Sequence, residues 1–346
     1  MTASSNEHRL VRSWYQKSLW LYLLAPLSLL YFLLAGVRRL GFRLGIFSSF
    51  KAAVPTIVVG NITVGGAGKT PVVIALVEAL CKQGFKPGVI SRGYGSDAPC
   101  YPYAVKADSL PIHCGDEPLL IAQQTGAPVV IDANRKSAIT MLLEHNDCDV
   151  IVADDGLQHY ALQRDIEIVV VDGQRGFGNA WLLPVGPLRE LTHRLSQVDY
   201  IIANGKLETE LPLPAATPFY AMTLQAQALQ SLTTTNEVTM ADWPYGKRVH
   251  AVAGIGNPAR FFTTLRQLGF DPVEHAFADH YHYAEQDFNF AETLPIIMTA
   301  KDAVKVRTLQ APGNSWCLPV EAEIDPLFFA SISQQIESLN AKRQQS

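Results

Sequence analysis

The sequence has few cysteines, no internal repeat and no low-complexity tract. Its cysteines are far apart, with neither a CxxC pair nor a Cys/His ligand spacing: Cys81, Cys100, Cys114, Cys148 and Cys317. This pattern argues against a disulfide framework and a structural zinc site, and it is typical of a reducing cytoplasm. Hydrophobic residues make up 48% of the chain and charged residues 17%. This composition is too apolar for a disordered chain and too mixed for a transporter with many membrane spans.

A basic surface for nucleic acid is also missing. The 346 residues carry a net charge of −4, but the first 51 hold seven Lys or Arg and a single acid. The remaining residues hold 21 bases and 31 acids. Because the basic charge is confined to the N-terminus, no nucleic-acid partner is predicted. The length predicts one large domain or two of medium size.

Residues Ser18–Val37 form an apolar run of 20 residues without a charge. Bases flank it on both sides: Arg9, Arg12, Lys17, Arg38, Arg39 and Arg43. The run is just long enough to cross a bilayer, and no small-residue cleavage site of a signal peptide follows it. Pro26 and several aromatic residues suit a kinked helix at the membrane interface. We expect membrane association from the cytoplasmic side; a spanning helix and a helix packed on its own domain are the alternatives.

Beyond Lys51, short β-branched runs alternate with segments of helical period. The predicted strands are Thr56–Gly60, Gly88–Ser91, Pro128–Ile131, Asp149–Asp154, Glu167–Asp172, Tyr200–Asn204, Val249–Ala253, Pro295–Thr299 and Trp316–Val320. This alternation predicts an α/β protein of the P-loop NTPase type, with a mostly parallel sheet and a second, smaller α/β domain. We expect a membrane-associated helical segment over 1–51, a nucleotide-binding domain over 52–210 and the smaller domain over 211–346.

The most informative stretch is TIVVGNITVGGAGKTPVVIALVEAL, which begins at Thr56. An apolar strand, a glycine-rich turn and an amphipathic helix follow one another, as the P-loop motif requires. Glycines let the backbone N–H groups curl around a polyphosphate, Lys69 would reach the β- and γ-phosphates, and the Thr70 hydroxyl would bind Mg²⁺. Thr63 stands where the motif has its first glycine. The predicted nucleotide-binding residues are Thr63, Val64, Gly65, Gly66, Ala67, Gly68, Lys69 and Thr70.

A P-loop enzyme needs a carboxylate that holds Mg²⁺ at the end of a nearby strand. The stretch DVIVADDG supplies Asp154 and Asp155 after a buried-strand pattern. We therefore predict that ATP and Mg²⁺ are bound, with Thr70 and these two carboxylates at the metal. Acids that follow strands are common, so a solvated or helix-capping role is the alternative.

Four further polar stretches follow in order: SRGYG from Ser91, GDEP from Gly115, DGLQH from Asp155 and LLPVGPLRE from Leu182. Each is weak alone, because turns between strands and helices are usually polar. Together with FADHYHY from Phe277, the apolar N-terminal helix and TVGGAGKT, they closely resemble the tetraacyldisaccharide 4′-kinase family of lipid A biosynthesis. The resemblance covers essentially the whole chain.

The resemblance implies transfer of the γ-phosphoryl group of ATP to the 4′-hydroxyl of a tetraacylated glucosamine disaccharide 1-phosphate. The product is the 1,4′-bisphosphate lipid A precursor, and the reaction takes place at the cytoplasmic face of the bacterial inner membrane. The family has two α/β domains that are joined by a hinge of two strands and close over the nucleotide. The implied partners are the acylated disaccharide and inner-membrane lipid, and no obligate protein partner is inferred.

The resemblance also implies site residues. Asp116 would accept the proton of the acceptor hydroxyl, His280 would pair with it, and Lys69 and Arg92 would supply positive charge. Further active-site candidates are Tyr94, Glu117, Gln158, His159, Arg189 and Glu190. Tyr281 departs from the family pattern, in which a second histidine is usual at this position. From the residues alone, Asp116 equally suits a helix N-cap and His280 a surface loop.

Two other functions remain open. A membrane-bound P-loop GTPase or ATPase switch would need an NKxD-like loop, which is missing, or a water-positioning glutamine, for which Gln158 is available. A cytosolic small-molecule kinase is disfavoured by the uncharged helix. The segment VHAVAGIGNPARFF, from Val249, has a strand, a glycine turn and a helical pattern. Because it lacks the spacing of a dinucleotide fingerprint, we predict a tight βα turn there rather than a second nucleotide site.

Overall fold

A computed structural model describes residues 10–16, 18–208, 211–309 and 313–344. Two of the bases that flank the apolar run, Arg9 and Lys17, lie outside the described residues. So does Glu210, at the predicted domain boundary. The helices are α1 Ala25–Arg43, α2 Lys69–Lys82, α3 Pro111–Cys114, α4 Asp116–Thr125, α5 Arg135–His145, α6 Pro258–Gln267, α7 Ala300–Val306 and α8 Pro326–Gln344. The strands are β1 Thr56–Gly60, β2 Pro87–Ser91, β3 Tyr103–Val105, β4 Val129–Ile131, β5 Val150–Asp154, β6 Ile166–Asp172, β7 Tyr200–Asn204, β8 Phe219–Ala226, β9 Leu229–Ser231, β10 Glu237–Val238, β11 Arg248–Ala253, β12 Asp271–Ala276, β13 Ile296–Thr299, β14 Ser315–Leu318 and β15 Val320–Ile324.

The larger sheet has the strand order β15-β8-β7-β6-β1-β5-β2-β4-β3. Strand β1 lies between β5 and β6 and is parallel to both. All five residues of β1 are buried, as expected for a strand that is covered on both faces of a parallel sheet. Its carboxyl end is therefore at the centre of the sheet edge where ligands of α/β folds bind. The predicted mostly parallel α/β fold is confirmed.

The smaller sheet has the order β10-β9-β14-β13-β11-β12, and the four strands from β14 to β12 are parallel. One face packs against α6 through the buried side chains of Phe261, Phe262 and Leu265. The opposite face packs Val252 and Met298 against the loop that follows β12. The smaller sheet thus has its own apolar core.

Two strands of the larger sheet lie where the chain passes between the sheets. Strand β8 pairs with β7 and leads into β9, whereas β14 leads into β15, which pairs antiparallel with β8. The predicted strand Trp316–Val320 is therefore divided: it ends at Leu318, and Val320 begins β15. The expected assignment of residues 211–346 to the smaller domain stays a prediction.

The N-terminal apolar run forms a 3₁₀ turn over Leu19–Leu24 and continues as α1. Ser28 Oγ donates a hydrogen bond to the carbonyl of Leu182 at 3.0 Å, and Tyr31 Oη donates to that of Arg189 at 2.9 Å. One side of the helix is thereby fixed to the LLPVGPLRE loop. Within the described residues, 19–43 is one segment long and apolar enough to cross a membrane, with a mean hydropathy of 1.9.

Candidate active site

The glycine-rich loop connects β1 to α2 at the carboxyl edge of the larger sheet. Gly65 and Gly68 have φ of +100° and +94°, a region that residues with a Cβ rarely adopt. Asn204, at the end of β7, donates from Nδ2 to the carbonyl of Ala67 at 3.1 Å. The backbone therefore has the curled, glycine-dependent shape that anion-binding loops require.

Thr63 stands at the first glycine position of the motif, and its backbone explains the substitution. It forms a bridge with Leu188, and the N–H of Val64 donates to the carbonyl of Pro187 at 2.8 Å. The start of the loop is therefore paired with the LLPVGPLRE stretch. A β-branched residue suits such paired backbone, so no glycine is needed at this position.

Lys69 and Thr70 form the first turn of α2, where the helix dipole is positive. The Lys69 Nζ lies 3.4 Å from Asp155 Oδ1 and 3.4 Å from Asn61 Oδ1. The Arg189 guanidinium also lies 3.4 Å from Asp155. Burial on its own raises the pKa of Asp155, but these two cations lower it below its ordinary value. Two predicted residues, Lys69 and Arg189, thus lie beside a third, the ionised carboxylate of Asp155.

Asp154 ends β5 and is 1% exposed. Its Oδ2 accepts a hydrogen bond from Ser91 Oγ at 3.4 Å, whereas its buried Oδ1 has no hydrogen-bond partner. Burial, followed by the charge of Glu117, raises the pKa of Asp154 to about 7. A buried oxygen without a partner is costly, and a divalent cation would satisfy it. The residues present therefore fit the expected Mg²⁺.

Within the part of the chain that the structure describes, no group of three His, Cys, Asp or Glu side chains forms a metal cage. Protein-only cages are typical of calcium or zinc rather than of Mg²⁺ at nucleotides. Mg²⁺ usually keeps several waters and binds through one or two carboxylates together with substrate phosphates. A site of that kind needs no more ligands from the chain than Thr70, Asp154 and Asp155.

Asp116 and His280 meet from different sheets. Asp116 is the first residue of α4 and is 5% exposed, after Gly115 with φ of +86°. His280 lies in the loop after β12, with φ of 58°. Its Nδ1 is 3.1 Å from Asp116 Oδ1 and 3.2 Å from Oδ2. The two residues that the resemblance paired are therefore in direct contact.

The charges around this pair keep the carboxylate ionised. Burial on its own raises the pKa of Asp116, but the hydrogen bond from His280 and the nearby Lys301 and Lys305 lower it far below its ordinary value. The same hydrogen bond raises the pKa of His280. Near neutral pH Asp116 is therefore an ionised carboxylate, and the imidazole beside it binds a proton more tightly than a free imidazole does.

Arg92 and Tyr94 line a cavity beside this pair. The Tyr94 ring lies 5.4 Å from the His280 ring. The cavity has a volume of about 300 Å³ and is lined by Arg92, Gly93, Tyr94, Gly95, Tyr101, Asp132 and Ala133. An arginine and two exposed tyrosines give it a polar and aromatic lining.

Gln158 and Glu190 hold the two polar loops together. Gln158 Nε2 donates to the carbonyl of Asn61 at 3.0 Å and to Glu190 Oε1 at 2.9 Å. Its Oε1 accepts a hydrogen bond from Arg189 at 3.4 Å. Both ends of the amide are thus engaged within the protein, which does not favour its use to position a hydrolytic water. His159, the next residue, has its pKa lowered to about 4 by burial and then by neighbouring arginines, so it is neutral at pH 7.

Sequence reasoning did not identify the residues that the smaller sheet contributes besides His280. Lys301 Nζ lies 2.9 Å from Glu117 Oε1 and 3.0 Å from Asp279 Oδ1. The GIGN turn, predicted as a βα turn between β11 and α6, touches the phosphate loop: a Cβ at Gly256 would lie 2.4 Å from the Gly66 nitrogen. The available signals were KDAVK directly after an apolar strand and the glycines of GIGN.

Comparison with known proteins gives consistent matches. The profile of the family described as LpxK, tetraacyldisaccharide-1-P 4′-kinase, matches residues 20–337. The tetraacyldisaccharide 4′-kinase of Stutzerimonas stutzeri is 46% identical over 331 residues, which cover 96% of this chain and 97% of that protein. The Pasteurella multocida enzyme of the same name is 50% identical over 314 residues, which cover 90% and 93%.

A solved structure matches as well. The crystal structure of the "apo" form of LpxK from Aquifex aeolicus, in complex with ATP, superposes with a TM-score of 0.77 at 26% identity. The match covers 92% of this chain and all of that one. The predicted family resemblance is thereby confirmed. The chain belongs to the tetraacyldisaccharide-1-phosphate 4′-kinase family.

Proposed function

We propose that this protein transfers the γ-phosphoryl group of ATP to the 4′-hydroxyl of tetraacyldisaccharide 1-phosphate, with Asp116 and His280 taking up the hydroxyl proton. Family membership makes the protein a kinase of lipid A biosynthesis. The observation that supports the residue roles is the contact of 3.1 Å between His280 Nδ1 and Asp116 Oδ1. It joins the two sheets at the edge where the phosphate loop lies.

The acceptor oxygen attacks the γ-phosphorus, and the bond to the oxygen that bridges the β- and γ-phosphates breaks, so that ADP leaves. The hydroxyl proton passes to the Asp116 carboxylate and then to His280, whose pKa is raised by its hydrogen bond to Asp116. From His280 the proton is released to water. A base in this position typically contributes on the order of 10² to 10⁴-fold to the rate.

The remaining residues position the reactants and neutralise charge, which is most of what phosphoryl transfer requires. Lys69 binds the β- and γ-phosphates, and Arg92 lies on the acceptor side in the cavity with Tyr94. Thr70, Asp154 and Asp155 would hold Mg²⁺, which when bound neutralises charge on the phosphoryl oxygens. Gln158, Arg189 and Glu190 keep the phosphate loop and the DGLQH turn in register through the hydrogen bonds described above.

The N-terminal helix supports a location at the cytoplasmic face of the inner membrane. The side turned away from the protein exposes large apolar side chains, among them Leu19 and Leu23 at 82% each. A substrate with four acyl chains stays in the bilayer, because each buried methylene contributes about 0.8 kcal/mol. The enzyme must therefore work at the membrane surface, and an exposed apolar helix beside the active-site loop provides the attachment.

The test is transfer of radiolabelled γ-phosphate to the purified disaccharide 1-phosphate in mixed micelles. The wild type should form labelled lipid in step with ADP. Lys69→Met should reduce the rate by more than 10²-fold, and Asp116→Asn should reduce kcat by on the order of 10² to 10⁴-fold. ATP hydrolysis without labelled lipid would favour a nucleotide switch instead. Equal product from the three proteins would refute the assigned roles.

A further inference from the structure

Helix α7 of the smaller sheet places two lysines against the Asp116 carboxylate. Lys301 and Lys305 are one turn apart and therefore share a helix face. Their Nζ atoms lie 3.8 Å and 3.7 Å from Asp116 Oδ2. His280 contacts the same carboxylate. Three basic side chains from elements that follow β11 in the chain and pack with the smaller sheet therefore surround Asp116, which lies on helix α4 beside the larger sheet.

Lys305 is fixed by a buried scaffold. Its Nζ lies 2.9 Å from Asp302 Oδ1, and its side chain is 9% exposed. Asp302 is completely buried and accepts hydrogen bonds from Thr299 Oγ1, from Tyr283 Oη and from the N–H of Gly254. The Lys305 Nζ also lies 5.1 Å from the centre of the Tyr283 ring. A cation held in this way is preorganised, unlike a lysine on an open surface.

Lys301 connects the two sheets. Its side chain is 14% exposed and lies between Glu117, beside Asp116 on α4, and Asp279, beside His280. The Lys301 ammonium group therefore binds the chain neighbour of Asp116 and the chain neighbour of His280 at the same time. This arrangement fixes the separation of α4 and the His280 loop through a charge that both share.

The balance of charge gives the lysines a function beyond packing. Asp116, Glu117 and Asp279 are three carboxylates within reach of Lys301, and a nucleotide at the phosphate loop adds more negative charge. Like charges favour the protonated form of an acid. Without nearby cations, Asp116 would tend to take up a proton when the nucleotide binds, and a protonated carboxyl cannot accept the proton of the acceptor hydroxyl.

We propose that Lys301 and Lys305 are positioning residues for phosphoryl transfer: they keep the Asp116 carboxylate ionised and aligned with His280 while an anionic nucleotide is bound. This inference rests on the proposed function. The groups that face Asp116 are His280, Lys301, Lys305, Glu117 and the Cys114 thiol. The thiol stays protonated, because burial raises its pKa to about 12. Lys301 and Lys305 lower the pKa of Asp116, and Lys301 also lowers that of His280.

The experiment compares the pH dependence of lipid phosphorylation in the full-length wild type, Lys301→Met and Lys305→Met. Removal of either cation should move the acid limb of kcat/KM for the lipid to higher pH by about one unit. At pH values below the acid limb, this shift corresponds to about a tenfold loss of kcat/KM. At pH 9, kcat/KM should stay within about threefold of the wild-type value. Lys305→Arg should keep the wild-type profile, as should Lys82→Met on the exposed end of α2.

Lys305→Met leaves the buried Asp302 without its ion pair, so a paired variant separates folding from chemistry. Asp302→Asn combined with Lys305→Met removes both charges and should give the same shift of the acid limb in a folded protein. The inference is overturned if the wild type phosphorylates the lipid and the folded variants keep its profile or lose activity equally at every pH. Absence of lipid phosphorylation in the wild type would instead refute the proposed function.

Discussion

The imidazole of His280 lies on the loop after β12 of the smaller sheet, and its Nδ1 is 3.1 Å from the carboxylate of Asp116, the first residue of helix α4, which packs on the larger sheet. The contact is part-buried and bridges 164 residues of sequence. It makes the alignment of the two sheets a condition for the proposed proton transfer. It also makes their association sensitive to the protonation of both groups.

The Asp116–His280 pair should make the stability of the fold depend on pH. His280 has a raised pKa, so its contribution is complete below its ordinary value of 6.5 and is lost as pH rises through the folded value. Asp116 has a lowered pKa, so its contribution is present above 3.8 and is lost as pH falls through the folded value. The pair therefore stabilises the fold most between about pH 4 and 6.5.

Thermal unfolding of the wild type and His280→Gln measures this effect. The difference in Tm should be largest near pH 5.5 and should shrink as pH rises through the raised pKa of His280, because the imidazole then loses its charge. Ser333→Ala on α8, far along the chain from the pair, is the control and should show no such trend. A difference in Tm that is constant from pH 5 to 9 would contradict the prediction.

Replacement of Asp154 should separate stability from activity. The carboxylate is 1% exposed, and its Oδ1 has no hydrogen-bond partner. Because burial raises its pKa to about 7, ionisation above that pH costs free energy in the folded protein. Asp154→Asn should therefore raise the free energy of unfolding at pH 8 by on the order of 1 kcal/mol or more, while it reduces kinase activity by more than 10²-fold.

The thermal stabilisation by Mg²⁺ and nucleotide should also depend on Asp154. Addition of Mg²⁺ with a non-hydrolysable ATP analogue should raise the Tm of the wild type more than that of Asp154→Asn, because a ligand stabilises the state that binds it. Asp149→Asn, at the residue just before the start of the same strand, is the matched control and should respond as the wild type does. An equal response of all three proteins would remove Asp154 from the expected metal site.

Local sequence patterns were sufficient for the six central parallel strands of the larger sheet and for the glycine-rich turn, whereas β3, β8 and β15 were not predicted. A strand, a glycine turn and a helix follow one another without interruption from Thr56 to Lys82, so the element and its role are contained in one segment. The apposition of Asp116 and His280 depends on two sheets meeting, and only the family resemblance indicated it. Lys301 and Lys305 carry no motif, because an ion pair between sheets needs no particular spacing.

Local sequence patterns also fail to show where a strand ends when the chain passes from one sheet to the other. The apolar run Trp316–Val320 predicts one strand. The chain instead leaves the smaller sheet after Leu318 and begins β15 in the larger sheet at Val320. Hydrophobic pattern indicates that residues are buried, but it does not indicate which of two sheets buries them.

The exposed face of the N-terminal helix predicts the mode of membrane binding. Leu23, Leu27, Leu30 and Leu34 are spaced along one side of the helix and are between 52% and 82% exposed. Leu27→Glu with Leu30→Glu should abolish co-sedimentation with anionic liposomes and raise KM for the lipid at least tenfold. Activity on a short-chain, soluble acceptor should change little.

Leu207→Glu, which adds one charge outside the helix, is the control. Retained liposome binding by the double variant would contradict a surface-docked helix.

The GIGN turn contacts the phosphate loop so closely that an added methyl group should separate them. A Cβ at Gly256 would lie 2.4 Å from the backbone nitrogen of Gly66, and backbone cannot move aside as the end of a flexible side chain can. Gly256→Ala should therefore keep the GIGN turn away from the phosphate loop. It should also displace His280, which follows β12, the strand that pairs with β11 directly before the turn. Because displacements of about 1 Å cost on the order of 10²-fold in rate, kcat/KM for ATP should fall by 10- to 100-fold. Gly313→Ala, where a Cβ meets nothing within 4 Å, is the control and should leave kcat/KM unchanged. If Gly256→Ala keeps wild-type kinetics, the close approach of the two turns is not part of the catalytic arrangement.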